Sequence, residues 1–330
     1  MLKAKIKIVI SEKNETPITA IKYFIKKILR RSRYNYKVST NLNLDIDKKK
    51  TFVAKIKSKA TLKKKIFIGT SNGFFYLENN KLYNIFENNQ FYGIAKYKNK
   101  FFIACVGRHQ SQGCIISFNY ALNKIKNPKI EYKMRDQSFH DLKIHKGNLY
   151  LVNSTWRFAL DEILKFKIGN NFLKLEEKIR PEINYPFIHL NTIFFKKNSI
   201  LLCYHNMTRQ TKMPSQVCEF KNDWKFLRVV KTENLASAHD VNITNKKFSI
   251  LNSDNGIFLL GKDKFYFPGK FLRGFDHDKK NYYIGVNKIA QRHKRASMSP
   301  QLGMLDKKTK KTSTVLLPKI GAICSIKIVE

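Results

Sequence analysis

The sequence predicts an all-β fold, a six-bladed β-propeller, and two observations carry that prediction. One is a repeat. "FHDLKIHKGNLYLVNS" (139–154) and "AHDVNITNKKFSILNS" (238–253) follow one plan: His-Asp, an alternating apolar stretch, a polar turn, then a second stretch ending in Asn-Ser. His140 to Asn153 and His239 to Asn252 span the same interval. The other is apolar alternation broken by Asn, Gly, Lys and Asp turns along most of the chain, which marks antiparallel sheet.

Taken in order, "KKIFIGTSNGFFYLENNKLYNIF" (64–86) reads as a unit lacking its first strand. "FYGIAKYKNKFFIACVG" (91–107), the 139–154 stretch, "FIHLNTIFFKKNSILLCYHN" (187–206), the 238–253 stretch and "FLRGFDHDKKNYYIGVNK" (271–288) each open a further unit. Each continues into strand-like pieces such as "GCIISFNYA", "EILKFKI" and "GIFLLGKDKFYF". Units of about 40–50 residues with about four strands match propeller blades. "IGAICSIKIVE" (320–330) is an orphan first strand, and it completes the first blade by joining the chain ends. Closure of that kind hides open sheet edges. A β-sandwich is the alternative, but it requires no repeat.

Residues 1–60 fall outside the pattern and read as a basic extension before a propeller over 61–330. Within it, "TPITAIKYFIKKILRRSRYNY" predicts an amphipathic helix over 17–33, with Thr16 as cap and Pro17 at its first position. Ile18, Ile21, Ile25, Ile28 and Leu29 share a face, and Lys22, Lys26, Arg30 and Arg33 lie largely opposite. Such a helix packs on the propeller or lies on a membrane surface.

Composition limits the function classes. No apolar run reaches the length of a membrane span, and Met1–Lys13 alternates Lys with apolar residues, so neither a transmembrane segment nor a secretory leader is expected. Cys105, Cys114, Cys203, Cys218 and Cys324 are scattered and odd in number, with no CxxC pair. That points to a reducing, cytoplasmic compartment and away from a thiolate zinc site. The 64 basic residues outnumber the 24 acidic ones, for a net charge of +40. An A/T-rich genome inflates Lys, but the shortage of acids remains, and the field attracts polyanions without conferring specificity. No GxGxxG, P-loop, HExxH, GxSxG or EF-hand pattern occurs, so no nucleotide cofactor is expected.

Within a propeller the first strand of each blade lines the axis, so equivalent positions form a ring. Alignment of the repeats puts His140, His189 and His239 in that ring, with Gly93, Arg273–Gly274 and the Gly321–Ala322 region completing it. Three imidazoles are the ligand set of an open zinc, iron or manganese site. Asp141 and Asp240 would orient the rings from behind. Equally, the histidines would hydrogen-bond across blade seams and serve architecture alone. His277 aligns with His145 at the hairpin turn, and both are excluded. Arg108, His109 and His205 fall on loops after second strands, within reach of the channel mouth. Asn153 and Asn252 read as turn residues or as polar contacts there. Trp156 and Arg157 offer an aromatic face beside a guanidinium, suited to a sugar or an anion.

The pieces "HDLKIHKGNLYLVNS", "PFIHLN", "SAHDVNITNKKFSILNSDNGIF", "FLRGF" and "YYIGVNK" together resemble a bacterial family of β-propellers with no assigned activity. The resemblance spans roughly 90–330 and implies the propeller alone. Ile188 stands where that family usually has Cys, and Ala238-His239-Asp240-Val241 replaces a Pro-His-Ser-Pro pattern. A looser likeness is to six-bladed NHL-type propellers and the peptide-amidating lyases, which hold zinc through one His from each of three blades.

Two functions follow as expectations. In one, His140, His189 and His239 hold a divalent metal, and Arg273 steers a small anionic or glycan substrate toward a lyase, hydrolase or oxygenase step. In the other, the basic propeller and the 17–33 helix dock on a polyanion, a membrane surface or a protein.

Overall fold

The computed structural model describes residues 51–57, 62, 64–107, 112–121, 124–135, 138–155, 160–170, 172–181, 189–206, 213–230, 234–244 and 246–329. The predicted 17–33 helix, Arg108, His109, Trp156 and Arg157 lie outside them.

Six antiparallel sheets form the described chain. The first holds β1 (Thr51–Lys55), β2 (Ile66–Thr70), β3 (Gly73–Glu78) and β4 (Lys81–Glu87). The second is β5 (Gln90–Tyr97), β6 (Lys100–Val106), β7 (Gln112–Ala121) and β8 (Lys124–Arg135). The third is β9 (Phe139–His145), β10 (Asn148–Thr155), β11 (Leu160–Ile168) and β12 (Leu173–Ile179). The fourth runs through β13 (Leu190–Phe195), β14 (Ser199–Tyr204), β15 (Gln216–Lys221) and β16 (Phe226–Val230). The fifth comprises β17 (His239–Thr244), β18 (Lys247–Asn252), β19 (Ile257–Leu260) and β20 (Asp263–Tyr266). The sixth has β21 (Lys270–His277), β22 (Asn281–Lys288), β23 (Gln301–Asp306) and β24 (Thr312–Leu316). A 3₁₀ turn, Arg292–Ser297, precedes β23.

The chain closes as the orphan strand predicts. β25 (Ile323–Ile328) pairs with β2, placing Ile66 opposite Ile328 and Ile68 opposite Ile326. The inner strands β25, β5, β9, β13, β17 and β21 touch one another in that circular order. β1 adds an outermost fifth strand to the first blade by pairing with β4, so the sheet begins ahead of residue 61.

Burial on both faces of each blade explains the unbroken apolar runs in the sequence. In "KFFIACV", Phe101, Ile103 and Cys105 join the core between the first and second blades. Phe102, Ala104 and Val106 join the core between the second and third. Alternate residues of a strand point to opposite faces, so both parities must be apolar when each face meets another blade. The first seam is aromatic: the Phe67 ring lies 5.1 Å from Phe101 and 5.4 Å from Phe118.

Polar pins cross the seams close to the axis. Asp141 Oδ2 accepts the Ile193 N–H at 3.3 Å, and Asp240 Oδ2 accepts the Gly274 N–H at 2.8 Å. Asp276 Oδ2 accepts the Ile328 N–H at 2.8 Å, and the Asp240 N–H reaches Thr192 Oγ1 at 3.1 Å. Gly93 allows the inner strands to meet, because a Cβ there would sit 2.4 Å from the Leu142 nitrogen.

Candidate binding site on the propeller axis

Every inner strand carries one extra residue near its start. The register breaks between Phe91 and Ile94, at His140, at Asn191, between His239 and Asn242, between Leu272 and Phe275, and at Cys324. A bulge of this kind re-aims side chains, so two consecutive residues face the same way. The axial cavity is accordingly lined in pairs: Tyr92–Gly93, His140–Asp141, Asn191–Thr192, His239–Asp240 and Cys324–Ser325, with Arg273 from β21.

This corrects the ring drawn from sequence. His140, His239 and Arg273 hold equivalent positions, but Asn191 holds the fourth blade's and His189 lies two residues earlier. Cys324 takes the place expected near Gly321–Ala322, and Tyr92 joins ahead of Gly93. Matching histidine to histidine overlooked the bulge, whereas matching Ile94, Leu142, Ile193, Val241, Phe275 and Ile326 brings the six strands into line.

The histidines form a ladder toward the mouth. His140 and His189 meet edge to face with ring centroids 4.6 Å apart. His205 stands between the others, 5.2 Å from His189 and 5.3 Å from His239. The His239 ring then meets Phe271 at 5.5 Å. Burial, followed by Arg273, His205 and His140, pushes the His239 pKa well below the usual imidazole range. His239 is therefore neutral at neutral pH.

Serine hydroxyls hold these rings. Ser138 Oγ is 3.1 Å from His140 Nε2, Ser154 Oγ is 3.1 Å from His189 Nδ1, and Ser253 Oγ is 2.9 Å from His239 Nδ1. The repeated Asn-Ser thus divides its labour. Asn153 Nδ2 donates to Glu162 Oε1 at 2.9 Å, a side-chain bond between neighbouring strands, and Asn252 Oδ1 accepts the Ala236 N–H at 2.8 Å, a bond to the backbone.

Arg273 reaches from the sixth blade across the axis. Its guanidinium lies 4.6 Å from the Tyr92 ring centroid, and Nη2 is 3.3 Å from His140 Nδ1. A guanidinium only donates, so His140 Nδ1 must offer its lone pair, and the ring proton sits on Nε2, facing Ser138. The residue is 7% exposed, and among the described residues no carboxylate oxygen lies within 4.0 Å of it.

That geometry also tests the metal set. His140 has one nitrogen committed to Arg273 and the other protonated, leaving no lone pair for a ligand bond. His205 separates His189 from His239, and the Arg273 cation opposes a second positive charge. Asp141 and Asp240 turn their carboxylates to backbone N–H groups of the next blade instead of to the imidazoles. Among the described residues no group of three or more His, Cys, Asp or Glu is arranged to hold a metal ion. As placed, the described imidazoles do not form a ligand set for zinc, iron or manganese.

Arg273 divides the axis into two cavities. The inner one, about 390 Å³ to its open end, contains Asp141, Asp240 and Lys143. Burial pushes the Asp240 carboxyl up to about 6, helped by Asp141 and opposed by Lys143 and Arg273. Burial would lower Lys143, but Asp141 at 3.3 Å, with Asp240 and Asp276, outweighs it and holds the ammonium. The outer cavity, about 340 Å³ to its mouth, is lined by Arg273, Lys288 and Arg295 beside Phe271, Asn287, Ala290 and residues 322–324. Among the described residues that line it, three carry cationic side chains and none a carboxylate. Asn287 is already engaged, with both amide atoms bonded to the Ile323 backbone at 2.7 and 3.0 Å.

Comparison with known proteins adds the architecture. No protein-family model matches the chain, and no curated protein does. A protein from Lactobacillus plantarum superposes with a TM-score of 0.50 at 11% identity, covering 81% of this chain and 99% of that one. A protein from Bacteroides uniformis, provisionally named a 6-phosphogluconolactonase, gives 0.51 at 9% identity, also over 81% and 99%. At such identities the likeness shows the fold alone. Among the described residues no helix is long and apolar enough to cross a membrane.

Proposed function

We propose that the protein binds a small anionic molecule at the outer end of its axis, and that it acts on that molecule as a hydrolase or lyase. The buried Arg273 carries this reading. A guanidinium taken out of water is costly unless a negative charge compensates it. Among the described residues the close partners of Arg273 are a neutral imidazole and an aromatic face, with Asp240 acting at longer range, so a ligand completes its compensation. Lys288 and Arg295 share the outer cavity and favour a carboxylate or a phosphate. His239 lines the adjoining inner cavity as a neutral imidazole, a group that can accept a proton.

The enzyme name attached to the Bacteroides neighbour is compatible with this reading and adds no weight to it. The family resemblance concerns the propeller and leaves the chemistry open.

Thermal unfolding in a panel of small carboxylates and phosphates tests the proposal. At least one anion should raise the melting temperature of the wild type and leave Arg273→Gln unmoved. Equal shifts in both proteins, or none in either, would refute it.

A further inference from the structure

The inner cavity differs from the outer one in presenting both signs of charge: Arg273 and Lys143 line it together with Asp141 and Asp240. Lys143 and Asp141 satisfy each other. Their charged atoms lie 3.3 Å apart, and Asp141 also accepts the Leu142 and Ile193 N–H groups at 2.9 and 3.3 Å. Asp240 is served less well. Its Oδ2 accepts the Gly274 N–H at 2.8 Å, whereas its Oδ1 has no donor among the described residues. Burial and Asp141 oppose its negative charge, and Lys143 and Arg273 favour it only through space. Arg273 is the mirror case, with one N–H group on His140 Nδ1 and no acceptor for the others among the described residues.

Asn191 adds a third unmatched group to the same wall. It is 2% exposed, and its Nδ2 donates to the Ala238 carbonyl at 3.3 Å. Its Oδ1 is buried with no hydrogen-bond partner among the described residues. A buried acceptor left unpaired loses its hydration for nothing in return.

The unmatched groups stand on opposite sides of the axis. Thr192 Oγ1 accepts the Asp240 N–H at 3.1 Å, which ties Asp240 to the strand that carries Asn191. Both acceptors therefore belong to the seam between the fourth and fifth blades. The Arg273 guanidinium lies across from them, 4.6 Å from the Tyr92 ring centroid of the second blade and against His140 of the third. Asp240 adopts φ +56°, uncommon for a residue with a side chain, and the bulge and its two hydrogen bonds hold it there.

We infer that the inner cavity is a second binding site, for a small zwitterion whose carboxylate meets Arg273 and whose primary ammonium meets Asp240 and Asn191. An ammonium carries three donors and no acceptor, which suits two unpaired oxygens, and a carboxylate accepts from the guanidinium fork. A lone anion would face Asp141 and Asp240, and a lone cation would face Lys143 and Arg273. A neutral polyol would fill the hydrogen bonds and leave the charges of Arg273 and Asp240 uncompensated. The site goes beyond the proposed outer anion site, which it adjoins at Arg273 and Cys324.

Isothermal titration calorimetry at neutral pH with glycine, β-alanine and 4-aminobutanoate tests the inference, because these place the same two groups at increasing separation. Acetate, methylamine and ethylene glycol supply the anion, the cation and neutral hydroxyls alone. At least one amino acid should bind the wild type roughly tenfold tighter than every one of those three, and Asp240→Asn should weaken it by a similar factor. That variant keeps an oxygen for the Gly274 N–H, and the wild-type ranking decides the matter if it does not fold. Amino acids that bind no tighter than acetate, methylamine or ethylene glycol, or equally well to wild type and Asp240→Asn, would overturn the inference. An acetate response without a preference for amino acids would do so while leaving the outer anion site standing. Amino-acid binding with no response to simple anions would support the inner site and remove the outer one.

Discussion

Arg273 of the sixth blade donates to Nδ1 of His140 in the third, 3.3 Å away across the propeller axis. The contact joins blades on opposite sides of the ring and places a full positive charge on a neutral acceptor. It settles the tautomer of His140 and removes that residue from any ligand set. The charge acts on Asp240 through space but, among the described residues, has no carboxylate oxygen within 4.0 Å, so its value to the molecule lies in what it binds.

Replacement of Arg273 by an apolar residue of similar length should therefore cost little. Buried charges exchanged for well-packed apolar groups are often neutral or stabilising by about 1–4 kcal/mol. Arg273→Met is expected to unfold in denaturant within about 1 kcal/mol of the wild type, or above it, while losing its response to anions. A loss of several kcal/mol would mean that Arg273 is architectural.

Asp240 gives a pH signature with a definite sign. Burial lifts its pKa from 3.8 to about 6, so the folded state holds the proton more tightly than the unfolded chain. Folding takes up a proton within that window, and stability falls as pH rises from about 4 to 6, then levels. Asp240→Asn lacks this component and keeps an oxygen for the Gly274 N–H. The stability of wild type minus variant should drop by roughly 2–3 kcal/mol across the window. Urea unfolding at pH 4.5, 5.5 and 7 measures it, and a difference that stays constant or rises contradicts the assignment.

Glu219 behaves in the opposite sense. Burial pushes its pKa up, but hydrogen bonds from Lys196, Ser199 and Arg228 outweigh this and hold it at about 2. Ser199 Oγ donates at 2.6 Å and Arg228 Nε at 2.9 Å. The resulting stabilisation is present above the ordinary Glu pKa and is lost as pH falls from about 4.5 toward 2. Glu219→Gln should cost about 1–3 kcal/mol at pH 7, and the gap should narrow between pH 5 and pH 3. A gap independent of pH would show that the carboxylate charge is irrelevant.

Gly93 tests the closeness of the inner strands. Its missing Cβ would lie 2.4 Å from the Leu142 nitrogen and 2.8 Å from the Asp141 carbonyl carbon, both backbone atoms. Neither can swing aside as a flexible side chain would. Gly93→Ala should destabilise by about 2 kcal/mol or more in equilibrium denaturation, and a change below about 0.5 kcal/mol would mean that the strands sit farther apart.

Much of the fold was legible because each blade buries both faces, and runs such as Phe101–Val106 therefore repeat in a recognisable way. The closing strand was legible for the same reason: Ile323–Ile328 has the pattern of an inner strand with no successors. The site was harder to read. A bulge inserts one residue without any sequence mark of its own, so His189 looked equivalent to His140 when Asn191 is. The Asn-Ser pairs were visible, yet only the folded strands show that Ser154 and Ser253 meet imidazoles, that Asn153 donates to Glu162 and that Asn252 bonds the Ala236 N–H. Arg273 lies on an inner strand beside the axis, but its reach to Tyr92 and His140 depends on side-chain length and the width of the ring. Neither can be read from a repeat.

The most direct test of the axial anion site is a crystal soaked in tungstate, a tetrahedral dianion visible by its anomalous scattering. The account predicts the strongest anomalous peak in the outer cavity, within hydrogen-bonding reach of the Arg273 guanidinium, and its disappearance in Arg273→Gln. Peaks confined to the outer faces of the blades, with density for Arg273 unchanged and no ion beside it, would contradict it.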